Sequence, residues 1–298
     1  MSAEAETIDD TSMCASCGNA AKDDVKLKNC TACHLVKYCG VKCQREHRPQ
    51  HKRECRKRAA ELHDEILFKQ PESSHLGDCP ICCLPLSLVP KTCIMMACCS
   101  KMICNGCDYA SVIRKIDDKC PFCRHPTPEN EEETDKDLMK RVEANDPVAV
   151  RNMGFKRYND EGDNESAIEY LTKAAELGDL VAHFELANFY RDGECVGKDM
   201  KKVIYHSEQA AIGGHPMARY NLGCVEEENG RFERAVKHWI IAANLGDDKS
   251  LNALKKGYAV GRIQKEDFAA ALRAHQAALD AAKSPQREAA EAARLNNH

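Results

Sequence analysis

Ala174-Ala175-Glu176-Leu177-Gly178-Asp179, "AAELGD", returns as "AAIGGH" at 210–215 and "AANLGD" at 242–247, so Ala-Ala-x-x-Gly recurs at steps of 36 and then 32 residues. A repeat of that period is one two-helix unit stacked on copies of itself, because a lone helix pair cannot bury its apolar face. Small residues upstream keep the same phase: Ala149 and Gly154, Ala182 and Ala187, Ala218 and Gly223. Seven residues before each Ala-Ala stand Ala167, Val203 and Ala235. Such positions mark close helix crossings, and each glycine is expected to end the second helix of its unit in the left-handed conformation. Phe, Tyr and Leu fill the core between the helices.

The loop "YRDGECVGKDMKKV" (190–203) adds a second signal. With the Ala-Ala-x-x-Gly endings it resembles Sel-one-like repeats, relatives of the tetratricopeptide family, over roughly residues 147–248. The resemblance implies a concave docking surface for an unknown protein, with no chemistry of its own. A weaker fourth unit, residues 252–281, lacks the ending and is expected to act as a cap, so the repeat region is taken as 147–283. The tail, 284–298, is expected to be frayed or disordered.

The remainder of the chain is built differently. Of 19 cysteines, 17 fall between Cys14 and Cys123. A length of 298 residues suits two or three domains. The formal charge of −4 does not suggest a dedicated nucleic-acid protein, and no apolar run approaches the roughly 20 residues that span a bilayer. The opening "MSAEAETIDD" is acidic and polar, unlike a secretory or transit peptide, so the expected address is the cytoplasm or the nucleus. Thiols stay reduced there. That and an odd cysteine total argue against disulfides and for zinc, since two thiolates at C-x2-C spacing on a tight turn reach one tetrahedral ion.

In the first cluster the donors are Cys14, Cys17, Cys30, Cys33, Cys39, Cys43, His51 and Cys55, enough to close two four-coordinate sites. Their order, with "KYCGVKCQ" and "HKREC", closely resembles the MYND zinc finger, residues 14–55, after a disordered N-terminus, 1–13. The resemblance implies interleaved sites: Cys14, Cys17, Cys39 and Cys43 on one zinc, Cys30, Cys33, His51 and Cys55 on the other. It also implies capture of a short, often proline-rich peptide. The family usually carries a tryptophan where His47 stands near; His47 and His34 are read as surface residues. The basic "RKR" at 56–58 is read as a solvated face of a linker helix, 56–78, since no aromatics interleave it.

The second cluster, 79–125, holds the pairs Cys79 and Cys82, Cys104 and Cys107, Cys120 and Cys123. Its spacing resembles a RING finger, which implies a first site from Cys79, Cys82, Cys104 and Cys107. A second site would use Cys120 and Cys123 with two donors from "ACCSK" (97–101). Lys101 stands where a RING finger has histidine, and an ammonium has no lone pair. Cys98 and Cys99 together are the favoured repair, with His125 as the alternative and Cys83 and Cys93 less natural donors. A vicinal disulfide would need a strained ring, and a catalytic thiol lacks an evident base. Four zinc ions are therefore expected. An acidic stretch, "HPTPENEEETDKD" (125–137), then reads as a solvated linker over 126–146.

The fold class is mixed: two small zinc-stabilised N-terminal fingers followed by an all-α helical-repeat solenoid. In RING-type ubiquitin ligases an apolar residue between the first two cysteines and a proline after the seventh ligand seat the ubiquitin-conjugating enzyme. An arginine after the eighth ligand holds ubiquitin. Ile81, Pro121 and Arg124 match these positions. The resemblance implies a ligase that recruits the conjugating enzyme and ubiquitin through the second cluster and selects partners with the other modules. The alternative is a non-enzymatic scaffold. A lysine methyltransferase finds no room for its cofactor domain.

Overall fold

A computed structural model of the chain describes residues 13–21, 26–89, 91–114, 119–193 and 195–296. The N-terminus expected to be disordered, 1–13, lies outside the described residues apart from Met13. The chain forms two compact units, residues 1–69 and 70–298.

In the first unit, β1 (Lys28–Asn29) and β2 (Lys37–Tyr38) make a short antiparallel hairpin ahead of α1 (Val41–Leu67). Cys14, Cys30, Cys33 and Tyr38 are buried at the centre, with Leu27, Val36, Cys39, Cys43 and Cys55 packed around them. So little apolar area cannot by itself order a unit of this size, and covalent or metal cross-links must supply the rest. The separate linker helix expected over 56–78 is instead a continuation of the finger's own helix as far as Leu67. His51 and Leu67 are the residues α1 buries. The "RKR" run lies on its solvated face, where Arg58 pairs with Glu61 at 3.3 Å and Glu65 at 2.9 Å. Exposed pairs of this kind contribute at most about 1 kcal/mol each.

The second unit begins with the antiparallel hairpin of β3 (Cys93–Met96) and β4 (Lys101–Cys104), in register Cys93 opposite Cys104, followed by α2 (Asn105–Ile113). Next comes α3 (Glu131–Glu143), in the stretch expected to be a solvated linker. Asn130 caps it by accepting from the Glu133 amide at 2.9 Å, and Glu131, Glu132 and Glu133 sit at the positive end of the helix dipole. Its Leu138 and Val142, four residues apart, enter the core of the first repeat beside Ala149, Val150 and Met153. The acidity marked an exposed face and a helix start, and two apolar residues suffice to dock the other face.

The repeat helices are α4 (Pro147–Asn159), α5 (Asn164–Glu176), α6 (Leu180–Asp192), α7 (Met200–Ile212), α8 (Pro216–Glu228), α9 (Phe232–Asn244), α10 (Asp248–Ala259) and α11 (Lys265–Ala281). Gly178, Gly214 and Gly246 take φ of +91°, +87° and +93°, the left-handed ends expected of the motif. The residue after each glycine caps the next helix. Asp179, His215 and Asp247 accept from the amides of Ala182, Ala218 and Ser250 at 2.7, 3.3 and 2.7 Å. One six-residue motif thus ends a helix, turns the chain and starts its successor. Ser250 stands fully buried where the other units have Ala149, Ala182 and Ala218, so the fourth unit keeps the frame although it lacks the closing motif.

The tail expected to be frayed is a helix, α12 (Pro285–Asn296), which packs on α2 with Ala290 buried. Its alanines at 289, 290, 292 and 293 give it high helix propensity, and Ala290 and Ala293, three apart, lie on its more buried side.

At Gly223 an added Cβ would lie 2.3 Å from Trp239 Nε1. Gly223→Ala should lower stability by about 1–3 kcal/mol through overpacking, read by chemical denaturation. Unchanged stability would mean that α8 and α9 are not held this close.

His215 stacks between His75 and Phe184, with ring centroids 4.1 and 4.3 Å away. Burial pushes His215 down to about 2 and His75 down to about 4, helped by the charge of Arg151. An unfolded histidine titrates near about 6.5, so both rings are neutral in the fold above that pH. As pH falls from about 6.5 toward 4 the unfolded chain binds protons that the folded rings refuse, and stability declines. His215→Asn keeps a cap acceptor without titrating. It should shrink the loss of thermal midpoint across this window, and an identical pH profile would contradict the assignment.

Candidate metal centres

Four of the five C-x2-C pairs are wound into the same turn, while Cys104 and Cys107 lie where β4 runs into α2. The residue after the second cysteine donates its amide to the carbonyl of the first: Gly18 to Cys14 at 2.9 Å, His34 to Cys30 at 2.9 Å, Cys83 to Cys79 at 2.8 Å, and Arg124 to Cys120 at 2.9 Å. Those four residues all have positive φ, 72°, 58°, 56° and 63°. Cys83 and Arg124 therefore occupy the turn-closing position, which removes Cys83 from the donor set. The turn aims both sulfurs inward, and around it Met13 bridges Ala20, Asp78 bridges Pro85 and Lys119 bridges Pro126.

These turns assemble four groups of donors, each with its ligand atoms within 4.8 Å of one another: Cys14, Cys17, Cys39 and Cys43; Cys30, Cys33, His51 and Cys55; Cys79, Cys82, Cys104 and Cys107; Cys98, Cys99, Cys120 and Cys123. Within them the sulfurs stand 3.6 Å apart for Cys17 and Cys39, 3.7 Å for Cys30 and Cys55, and 3.8 Å for both Cys79–Cys107 and Cys82–Cys104. A tetrahedral ion with Zn–S bonds of about 2.3 Å separates its sulfurs by about 3.8 Å, so the donor set and its spacing fit zinc. Pairing interleaves within each cluster: the first and third pairs share one site, the second and fourth the other.

The adjacent cysteines reach one ion because they lie in the turn between β3 and β4. The amides of Cys99 and Ser100 both donate to the Met96 carbonyl, at 3.2 and 2.7 Å, and Ser100 has φ +55°. In a strand their side chains would point to opposite faces. Here Cys98 Sγ lies 3.4 Å from Cys123 Sγ, and Cys99 Sγ lies 3.9 Å from Cys120 Sγ. Lys101 is exposed on β4. His125, the alternative fourth ligand, is engaged elsewhere, its Nε2 2.8 Å from the Asp137 carboxylate. Cys93 sits in the apolar cluster beside Leu86 and Ile103.

In each site one thiol, Cys14, Cys30, Cys79 or Cys120, is held below its ordinary range. Although burial opposes ionisation, the amides of Cys17, Cys39 and Ser16 hold Cys14 down to about 6, and Cys30 and Cys79 are likewise lowered, to about 6 and about 7. Other members are driven the opposite way, Cys55 to about 12 by burial and by Cys30 and Cys33, and Cys99 to about 11 by burial. Four thiolates so close repel unless a cation sits among them. Amides also donate to the sulfurs, Cys107 to Cys104 and Cys104 to Cys79 at 3.4 Å each. Bound zinc would cross-link each cluster and supply folding free energy. With four protein donors per ion, no position is left for substrate.

His47, read from sequence as a surface residue, supports a ligand instead. Its ring stacks on that of His51 at 5.6 Å, and its Nδ1 hydrogen-bonds the Tyr38 hydroxyl at 3.0 Å. The signal was its place one helical turn before His51. Beside this site a groove of about 430 Å³ is lined by Tyr38, Val41 and Gln44, with Arg45, Arg48 and Lys52 along one side of α1.

Metal analysis of the purified chain should return four zinc ions, three for Cys98→Ser and four for Cys83→Ser. Three ions in the unmodified chain would leave the Cys98–Cys99 site without a metal.

The MYND finger family model matches residues 14–55, and the Sel1 repeat model matches 148–179, 180–215 and 216–247. No curated protein matches the chain significantly. Among solved structures, a Sel1 repeat protein from Oxalobacter formigenes is 29% identical with a TM-score of 0.44, over 50% of this chain and 64% of its own. A protective antigen present in uropathogenic Escherichia coli strains, displaying an SLR fold, is 24% identical with a TM-score of 0.41, over 50% of this chain and 33% of its own. The chain thus spans less than two thirds of either protein. What the family models and the donor geometry establish together is a zinc-finger protein in which a MYND finger and a second cysteine-rich zinc-binding region precede Sel1 helical repeats.

Proposed function

We infer that this protein is a modular RING-type ubiquitin-protein ligase whose chemistry is positional. The carrying observation is the second cluster: two interleaved donor sets on a rigid hairpin-and-helix frame, with Ile81 held 40% exposed between Cys79 and Cys82. An apolar side chain fixed outward on a metal-braced turn is a ready anchor for a partner protein. Phe122 is also 41% exposed beside Pro121, and the exposed Arg124 has its backbone locked by the turn. In this reading Ile81 and Pro121 seat the ubiquitin-conjugating enzyme. Arg124 holds the thioester-linked ubiquitin while a lysine amine attacks its carbonyl and the conjugating enzyme's thiolate departs. No bond to the ligase forms, so the gain is in orientation.

Partner choice falls to the other modules. The groove on the MYND finger suits an extended, proline-rich peptide, with Tyr38 and Val41 as the apolar floor and Arg45, Arg48 and Lys52 favouring acidic flanks. The Sel1 repeats would take a protein partner. No described helix is long and apolar enough to cross a membrane. Zinc-binding thiolates are in keeping with a reducing compartment, the cytoplasm or the nucleus.

A second reading, a non-enzymatic scaffold, is favoured by the closure of all four donor sets. Incubation of the full chain with a panel of charged conjugating enzymes separates the two. Ubiquitin discharge should be accelerated with at least one enzyme, and Ile81→Ala or Arg124→Ala should slow it at least about 10-fold, with zinc content unchanged. Absence of discharge across the panel leaves the scaffold.

A further inference from the structure

We propose that Arg287, on the C-terminal helix, is an outer-shell partner of zinc bound by Cys79, Cys82, Cys104 and Cys107, so that metal binding and docking of α12 stabilise each other. Arg287 and Cys82 are 205 residues apart in sequence, yet the guanidinium Nη2 donates to Cys82 Sγ at 3.5 Å. The same group donates to the carbonyls of Leu84 at 3.2 Å and Pro85 at 2.6 Å, in the loop that follows the first cysteine turn. It also donates to the Ala282 carbonyl at 2.7 Å, at the end of α11.

A separate observation shows that the approach is built in. At Gly106, between the ligands Cys104 and Cys107, an added Cβ would lie 2.8 Å from the Arg287 amide nitrogen and 2.9 Å from the Gln286 carbonyl carbon. Gly106 lies within α2 with ordinary helical geometry, where alanine would be the better helix former. Its lack of a side chain serves the contact with α12.

The chemistry explains why the arginine stands there. Four thiolates on a dication leave a net double negative charge in a half-buried site, which favours a fixed cation at its edge. A guanidinium can serve a sulfur and two carbonyls at once through its planar fork, whereas a lysine supplies a single point charge. Without zinc nothing holds the four sulfurs together as ligands of one ion, and the guanidinium loses the fixed edge it binds. By linkage, whatever free energy zinc lends to helix docking, the docked helix lends to zinc binding.

The test uses the full chain loaded with zinc, titrated with a chromophoric chelator and followed by hydrogen–deuterium exchange. In the native chain, stripping the metal should raise exchange over residues 285–296 at least about 10-fold. Arg287→Ala should make one of the four zinc ions about 10–100-fold easier to remove, the usual cost of losing an outer-shell partner, with Arg287→Lys in between. Gly106→Ala, which leaves the arginine in place but blocks the helix, should reproduce both effects. Helix content of the repeats, read by circular dichroism, checks that the variants fold. If exchange over 285–296 ignores zinc, or both variants hold all four ions as tightly as the native chain, the proposal is overturned. It is overturned as well if Gly106→Ala frees the helix without weakening the metal.

Discussion

Four donors must converge on one point for a tetrahedral ion to bind, and every feature of the N-terminal half answers to that constraint. The cysteine turns with a left-handed residue after the second cysteine, the hairpin that swings Cys98 and Cys99 together, and the placement of His51 and Cys55 one turn apart on α1 are separate solutions to it. Hydrophobic burial alone would not hold these segments. Their cores consist largely of the cysteines themselves. The metal centres therefore act as the core, and removing the ion removes the reason for the fold.

The C-terminal half is held by the opposite means. Alanines at the crossings bring helices close enough for continuous packing, and one motif handles each exit, turn and cap. The histidine cap at 215 is the departure within this scheme. Where two units use aspartate, this one uses a neutral ring stacked on His75, so the segment ahead of the second cluster rests on the repeats at that point. A local choice of acceptor thereby becomes a contact between parts of the chain distant in sequence.

Exposed faces arise on both kinds of structure for a physical reason. Metal-braced turns present exposed side chains such as Ile81 without needing a large core to order them, and stacked helix pairs present a broad face. Neither holds an open coordination position.

The repeat period, the left-handed glycines and the donor residues of the MYND finger were all legible in the chain, because each depends on local spacing: 3.6 residues per helical turn, a glycine where φ is positive, two thiolates on a tight turn. The fourth donor of the last site was less so. Cys98, Cys99 and His125 were all chemically competent, and only the hairpin geometry and the partner of His125 distinguish them. Composition misled at both ends of the repeats. Acidic residues hid the docking face of α3, and an alanine-rich tail hid α12, because each helix is ordered by a surface supplied elsewhere in the chain. By itself the sequence determined which residues could bind metal and where helices would repeat, since those follow from neighbours a few positions apart. The tertiary structure alone decided that His47 braces His51 and that Arg287 meets Cys82, since side chains far apart in sequence become neighbours only after the backbone has closed.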